Sequence, residues 1–312
     1  MFDVAVSELT SPRWDLHEEA ERAAGLGFDA ISLWRSKVSD VGAAAAAAIV
    51  SVAGIRVSSL QWAGGFTGGD GRSFAESVND AVDAIETAAA LGAPVLVVHS
   101  GCRGGHTRSH AARLLVQALE SLAPVAARAG VMLALKPVHP ANAVGCDFLG
   151  GLPAAIEVIG RFADPAVRLA LDFWHFGDAP GIDALLPQLA DLAALVQVAD
   201  RCGAVTAHAD RLPAGHGRLP LERLVGDLIG HGYRGVVEFD PVGEAVEILG
   251  YDGVWNETRL VAEAWADRLA IGRCGPIQAP GAGRRPLAGH YRAGAASGSR
   301  RSHASSHTGS PG

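Results

Sequence analysis

The sequence predicts a single (β/α)8 barrel, a TIM barrel, over residues 1–272, followed by a disordered basic tail over 273–312. Three observations predict it. Eight short apolar runs alternate strictly with longer amphipathic stretches. Polar residues stand directly after most of those runs. No G-x-G-x-x-G follows the first run, which weighs against an open, doubly wound sheet. With 312 residues, 49% of them hydrophobic and 19% charged, the chain has enough apolar surface for one large core.

The runs at 3–7, 30–33, 56–60, 94–99, 131–136, 168–172, 195–199 and 235–239 read as strands. They are nearly continuous in apolar residues, as strands covered on both faces should be. Between the first two, residues 16–24 carry apolar side chains at helical spacing and end at Gly25. A helix over 40–53 follows the second strand. After the third, Ser73 with Glu76 three residues on has capping-box spacing, and the helix runs to Leu91-Gly92. Further helices cover 108–129, 152–162, 182–194, 220–231 and 257–271. Gly27, Gly54, Gly130 and Gly232 turn the chain into the next strand.

Charge marks the one boundary. Residues 279–312 carry five arginines and no acid among Gly, Ser, Ala and Pro, a composition that cannot bury a core. Removing those five charges from the net −7 leaves −12 on residues 1–278, which argues against nucleic acid as a partner. No apolar run approaches the roughly 18 residues of a membrane span, and the Ala-rich stretch at 41–55 is short and broken by Gly and Ser. The start Met1-Phe2-Asp3-Val4 has no basic leader region, and the four cysteines form no C-x-x-C pair. These features read as a cytoplasmic protein with free thiols, no membrane partner and a small-molecule substrate, a homodimer being compatible with all of them. Only two of the 26 basic residues are lysines, Lys37 and Lys136, so each invites an explanation.

In such a barrel chemistry collects at the C-terminal ends of the strands. Those ends carry Glu8, His99, Lys136, Asp172 with His175, Gln197 with Asp200, and Glu238 with Asp240. A barrel built only for stability has no use for so many polar groups at one mouth.

These residues carry a resemblance. Its marks are Gly25-Leu26-Gly27-Phe28-Asp29-Ala30-Ile31-Ser32-Leu33-Trp34 at strand 2 and Leu91-Gly92-Ala93 before strand 4. Strand 5 adds Leu135-Lys136-Pro137-Val138-His139-Pro140, and strand 6 adds Leu171-Asp172-Phe173-Trp174-His175. Arg211 with Gly215-His216-Gly217 follows strand 7, and strand 8 closes with Gly232-Tyr233-Arg234-Gly235-Val236-Val237-Glu238. From about residue 3 to 269 the chain resembles the xylose-isomerase-like barrel superfamily, in particular its sugar phosphate isomerase/epimerase branch. The resemblance implies a divalent metal, Mn²⁺ or Mg²⁺, held by carboxylates and a His or Gln from strands 5 to 8. Such a metal polarises a sugar carbonyl while a carboxylate removes the adjacent proton. Carried over by position, Asp172, Gln197 and Glu238 match metal ligands; His175 and Arg211 match contacts to substrate oxygens.

One position departs. Lys136 stands where the resemblance places a glutamate that is both ligand and acid/base group. An ammonium only donates, and it repels a dication, so the expected cofactor is none or a weakly bound metal. Lys136 has three readings: a fixed charge replacing the metal and receiving an enolate oxygen, a Schiff-base nucleophile, or a structural ion-pair partner. Nearby carboxylates favour the charged ammonium and so disfavour the nucleophile.

His99 and His139 read either as pocket-lining substrate contacts or as packed histidines. Trp34 and Trp174 read either as rings that stack on a ligand or as packing between loops. The leading function is an isomerase or epimerase of a sugar-like polyol or hydroxycarbonyl compound through an enediolate, with Lys136, Glu238 and His175 catalytic. The alternatives are a metal-independent lyase, dehydratase or cyclase, and a non-catalytic barrel.

Overall fold

The structure, a computed structural model, describes residues 2–143, 147–162 and 165–273. Eight parallel strands close into a barrel in chain order: β1 Asp3–Ser7, β2 Ala30–Trp34, β3 Arg56–Gly64, β4 Val95–His99, β5 Met132–Leu135, β6 Val167–Asp172, β7 Ala193–Val198 and β8 Val236–Phe239. The barrel shuts where β8 pairs with β1, with Glu238 opposite Ala5.

Eleven α-helices lie between and after the strands of the described chain. They are α1 Leu16–Gly25, α2 Arg35–Val41, α3 Ala43–Ala53, α4 Phe74–Ala90, α5 Arg108–Ala129 and α6 Leu152–Ile159. Then come α7 Phe173–Phe176, α8 Ile182–Leu192, α9 Leu221–Gly230, α10 Glu244–Leu249 and α11 Tyr251–Arg273. The capping box expected at Ser73 and Glu76 opens α4. The single helix expected over 40–53 is instead two, α2 and α3, which meet at 101°. Gly42 between them has φ 84°, a left-handed conformation that ends one helix and starts the next. α7 is an unforeseen single turn; the Asp172 carboxylate caps it by accepting from the Trp174 backbone N–H at 2.9 Å. The last helix begins at Tyr251, earlier than the expected 257. The tail expected over 273–312 lies outside the described residues from 274 on.

Period-two alternation sorts the strand side chains into two layers. Leu96, Val98, Leu133, Leu135, Leu169, Leu171, Val196 and Val198 point outward into the main core shared with the helices. Val95, Val97, Ala134, Ala170 and Leu195 point inward and form a small separate plug. The next inward position on each of those strands, two residues on, is His99, Lys136, Asp172 or Gln197. The polar residues therefore rest directly on the plug, and the small Ala134 and Ala170 leave room beneath the long lysine. Among the described residues no single helix is long and apolar enough to cross a membrane. Cys102 and Cys202 are free; Cys146 and Cys274 lie outside the described residues.

Candidate active site

Register alone brings the strand ends together. Asp172 pairs with Gln197, and Gln197 with Glu238, so three successive strands present one polar row. Lys136, one residue beyond β5, donates its backbone N–H to the Val98 carbonyl and so stands beside His99. Asp172, Gln197 and Glu238 are fully buried, and Lys136 and His175 nearly so.

Asp172 is the centre of charge. Its Oδ2 lies 2.9 Å from Lys136 Nζ, 3.0 Å from an Arg211 guanidinium nitrogen and 3.7 Å from His175 Nε2. Burial opposes its ionisation, but Arg211 and Lys136 hold its carboxyl far below the usual carboxylate range. Arg211 also bonds the Asp240 carboxylate and, at 3.1 Å, the Asp240 carbonyl. Burial pushes the Asp240 carboxyl up to about 7 against the pull of Arg211.

Glu238 sits in a basket of donors. Gln197 Nε2 reaches its Oε1 at 2.6 Å and Gln61 Nε2 at 2.9 Å, while Ser59 Oγ reaches Oε2 at 2.9 Å. Ser32 braces that wall through a 2.8 Å contact with Ser59. Burial raises the Glu238 carboxyl above its ordinary value although Gln197 and Ser59 favour the carboxylate. Neither Ser59 nor Gln61 stands out when residues are sought only at strand ends. Their signal was a cluster of polar residues, Ser58, Ser59 and Gln61, inside a strand rather than at its end.

His99 and His175 are both pushed down to about 3, chiefly by burial, so both imidazoles are neutral at pH 7. The buried Nδ1 atoms of both have no hydrogen-bond partner, and neither has Gln197 Oε1. Unsatisfied buried polar atoms clustered in one place call for a partner such as a water, an ion or a ligand.

The other expected contacts scatter. Trp174 is 1% exposed and donates its indole N–H to the Asp210 carbonyl at 3.0 Å. The Arg211 guanidinium lies 5.1 Å from its ring centroid, so Trp174 supports that arginine and offers no open face to a ligand. His139 accepts from the Ala141 N–H at 3.2 Å and packs near Phe176, apart from the charged row. Trp34 lines a hollow of about 400 Å³ that it shares with Arg35, Trp62 and Asp80. A larger cleft of about 570 Å³ opens beside His99, and Trp62, 44% exposed, stands on its rim.

The residues at the metal position that the resemblance implies do not fit a divalent cation. Lys136 and Arg211 both occupy Asp172, and Gln197 turns its amide nitrogen to Glu238. Among the described residues no three His, Cys, Asp or Glu side chains are placed to hold a metal. The second lysine has a structural explanation. Lys37 Nζ lies 2.7 Å from Glu19 Oε2 and 3.0 Å from the Ser11 carbonyl, in a buried cluster with Glu8. Burial raises both carboxyls, and Glu19 reaches about 9 with Glu8 beside it.

A closed eight-stranded barrel with its charged and unsatisfied groups on the C-terminal face defines a class: a (β/α)8 protein with a built site at the strand ends. The chain belongs to the xylose isomerase-like TIM barrel family, which matches it over residues 20–260. Among solved structures, a Sinorhizobium meliloti protein superposes with a TM-score of 0.76 at 22% identity, covering 84% of this chain and 97% of its own. The IolI protein, solved with a zinc atom, gives 0.71 at 19% identity, covering 88% and 100%. The 3-keto-D-glucoside 4-epimerase YcjR of E. coli gives 0.67 at 18% identity, covering 88% and 99%. No curated protein matches the chain.

Proposed function

We propose that the barrel mouth is the active site of an isomerase or epimerase of polyhydroxy carbonyl compounds that works through an enediolate. One observation carries the reading. Lys136 and Arg211 bring two cations to within 3.0 Å of a single oxygen of Asp172, the carboxyl most strongly held ionised. The Lys136 ammonium sits in a dry layer, where a preorganised ammonium stabilises a developing oxyanion far better than in water. An ammonium has three N–H donors, so Lys136 keeps Asp172 and still donates to a substrate oxygen.

The proton moves on the same floor. Glu238, as carboxylate, takes the proton from the carbon next to the carbonyl, and the electron pair passes to the oxygen beside Lys136. Passing the adjacent hydroxyl's proton to that oxygen, so that the hydroxyl carbon becomes the new carbonyl, and returning the first proton from Glu238 to the former carbonyl carbon completes an isomerisation. Delivery of a solvent-derived proton to the opposite face, with Glu238 releasing its own to solvent, gives an epimerisation; neutral His175 has no acidic proton to supply it. Burial and the Gln61, Gln197 and Ser59 donors hold Glu238 in one orientation for this work. A keto-glucoside epimerase among the structural relatives supports the same chemistry here.

The test is solvent exchange. Neutral aldoses and ketoses are incubated with the protein in D2O, and NMR follows deuterium entering next to the carbonyl. The reading expects at least one sugar to exchange, with Lys136→Met and Glu238→Gln each slower by about a hundredfold or more. Exchange by no sugar, or exchange indifferent to both substitutions, overturns it. Water loss instead of exchange would point to a lyase.

A further inference from the structure

His99 stands between the reacting groups and the cleft. Lys136, Asp172, Gln197 and Glu238 do not line the cleft; His99, Trp62, Arg35, Arg72, Asp70 and Asp80 do. The His99 backbone lies opposite Gly64 in the sheet, and its ring meets Trp62 edge-on with centroids 5.8 Å apart. Space of about 570 Å³ is within the range of small-molecule sites, roughly 300–1,000 Å³, and it lies beyond the atoms that react. It therefore suits a part of the substrate that does not react.

The walls say what that part is. Arg35 holds Asp80 through two bonds of 3.1 and 2.9 Å and donates to the Trp62 carbonyl at 3.1 Å. Arg72 pairs with Asp70 at 2.6 Å and Asp80 at 2.8 Å, and donates to the Gly64 carbonyl at 3.0 Å. Two guanidiniums and two carboxylates cancel, and both arginines are spent on those acids and on the carbonyls of Trp62 and Gly64 at the end of β3. A phosphate would bring about two negative charges against Asp70 and Asp80 with neither guanidinium free to receive it. A sugar ring meets no such conflict: its hydroxyls bond to the fixed carboxylates, and its C–H face lies on the half-exposed indole of Trp62.

We propose that this cleft is the subsite for an uncharged second ring, so that the protein acts on glycosides or other neutral two-ring sugars and not on sugar phosphates. The proposal rests on the isomerase/epimerase reading of the neighbouring site. It assigns to Trp62 the recognition of the distal ring and to Arg35 the positioning of Trp62.

Calorimetric titration with three probes tests it: cellobiose, methyl β-D-glucoside and glucose 6-phosphate. Cellobiose is expected to bind more tightly than the one-ring glycoside, and glucose 6-phosphate no more tightly than that glycoside. Trp62→Ala is expected to weaken cellobiose about tenfold, and Trp62→Phe to restore most of it. Because Trp62 lies on the rim, both variants should keep the wild-type circular dichroism and melting point. Tighter binding of glucose 6-phosphate, indifference of cellobiose to Trp62→Ala, or binding of none of the three overturns the proposal. Turnover separates it from the reading beneath it. Trp62-dependent binding with no exchange of any sugar defeats the isomerase and leaves the subsite standing. Exchange confined to glucose 6-phosphate does the reverse.

Discussion

Replacing Lys136 with glutamate should convert the site into a metal site. In the wild type the ammonium lies 2.9 Å from Asp172 Oδ2, where a dication sharing that carboxylate would have to stand. The substitution exchanges one positive charge for one negative, a swing of two units beside any bound cation. One unit-charge contact at about 4 Å and an effective dielectric near 20 is worth up to about 4 kcal/mol before desolvation. A third of one such contact, about 1.4 kcal/mol, is already a tenfold change in affinity. Arg211 remains on Asp172 and resists the metal, so the gain expected is tenfold or more rather than the full Coulomb value. Calorimetric titration with Mn²⁺ should show stoichiometric binding to Lys136→Glu, weak binding to Lys136→Ala and none measurable for the wild type. Wild-type binding as tight as that of Lys136→Glu would refute the reasoning, because the lysine would then swing clear.

Three further outcomes are expected. Glu19 and Asp240 are buried acids raised to about 9 and about 7, so the folded chain binds more protons than the unfolded one and stability falls as pH rises through those values. His99 and His175, lowered to about 3, act oppositely below pH 6.5, so chemical denaturation should show the clean fall between pH 7 and 9; rising stability there contradicts the assignment. Lys37→Met leaves Glu19 Oε2 and the Ser11 carbonyl without their buried donor and should cost about 1–3 kcal/mol by urea titration near pH 7, where Glu19 is protonated; an unchanged stability would show that the lysine does not hold them. Gly64→Ala would put a Cβ 2.0 Å from the His99 carbonyl oxygen at φ +136°, so it should lower stability by more than about 1 kcal/mol, and an unchanged melting point would show that this approach is looser than described.

Strand order, barrel closure and the polar row follow from features visible in the sequence. Val97, Ala134, Ala170 and Leu195 are each followed two residues later by a polar side chain, and a period of two can only send both to the same face. What lay hidden depends on distances across the barrel. That Gln61 of β3 reaches Glu238 of β8 needs the closed barrel, since 177 positions separate them. The break at Gly42 was hidden because the run of alanines directly after it favours helix, and a lone glycine within a helical pattern is tolerated. Trp174 stayed open between two readings for a related reason: an aromatic residue after a strand end looks the same in sequence whether it meets a ligand or, as here, packs against an arginine.

The central claim is that an ammonium does the work of a metal at this barrel mouth. Its most direct test is the solvent-exchange rate of a responsive sugar, measured after exhaustive dialysis against EDTA and again as Mn²⁺ is added back. The account predicts the same rate throughout, and loss of that rate in Lys136→Met. A rate that vanishes on dialysis and returns in proportion to added Mn²⁺ would contradict it.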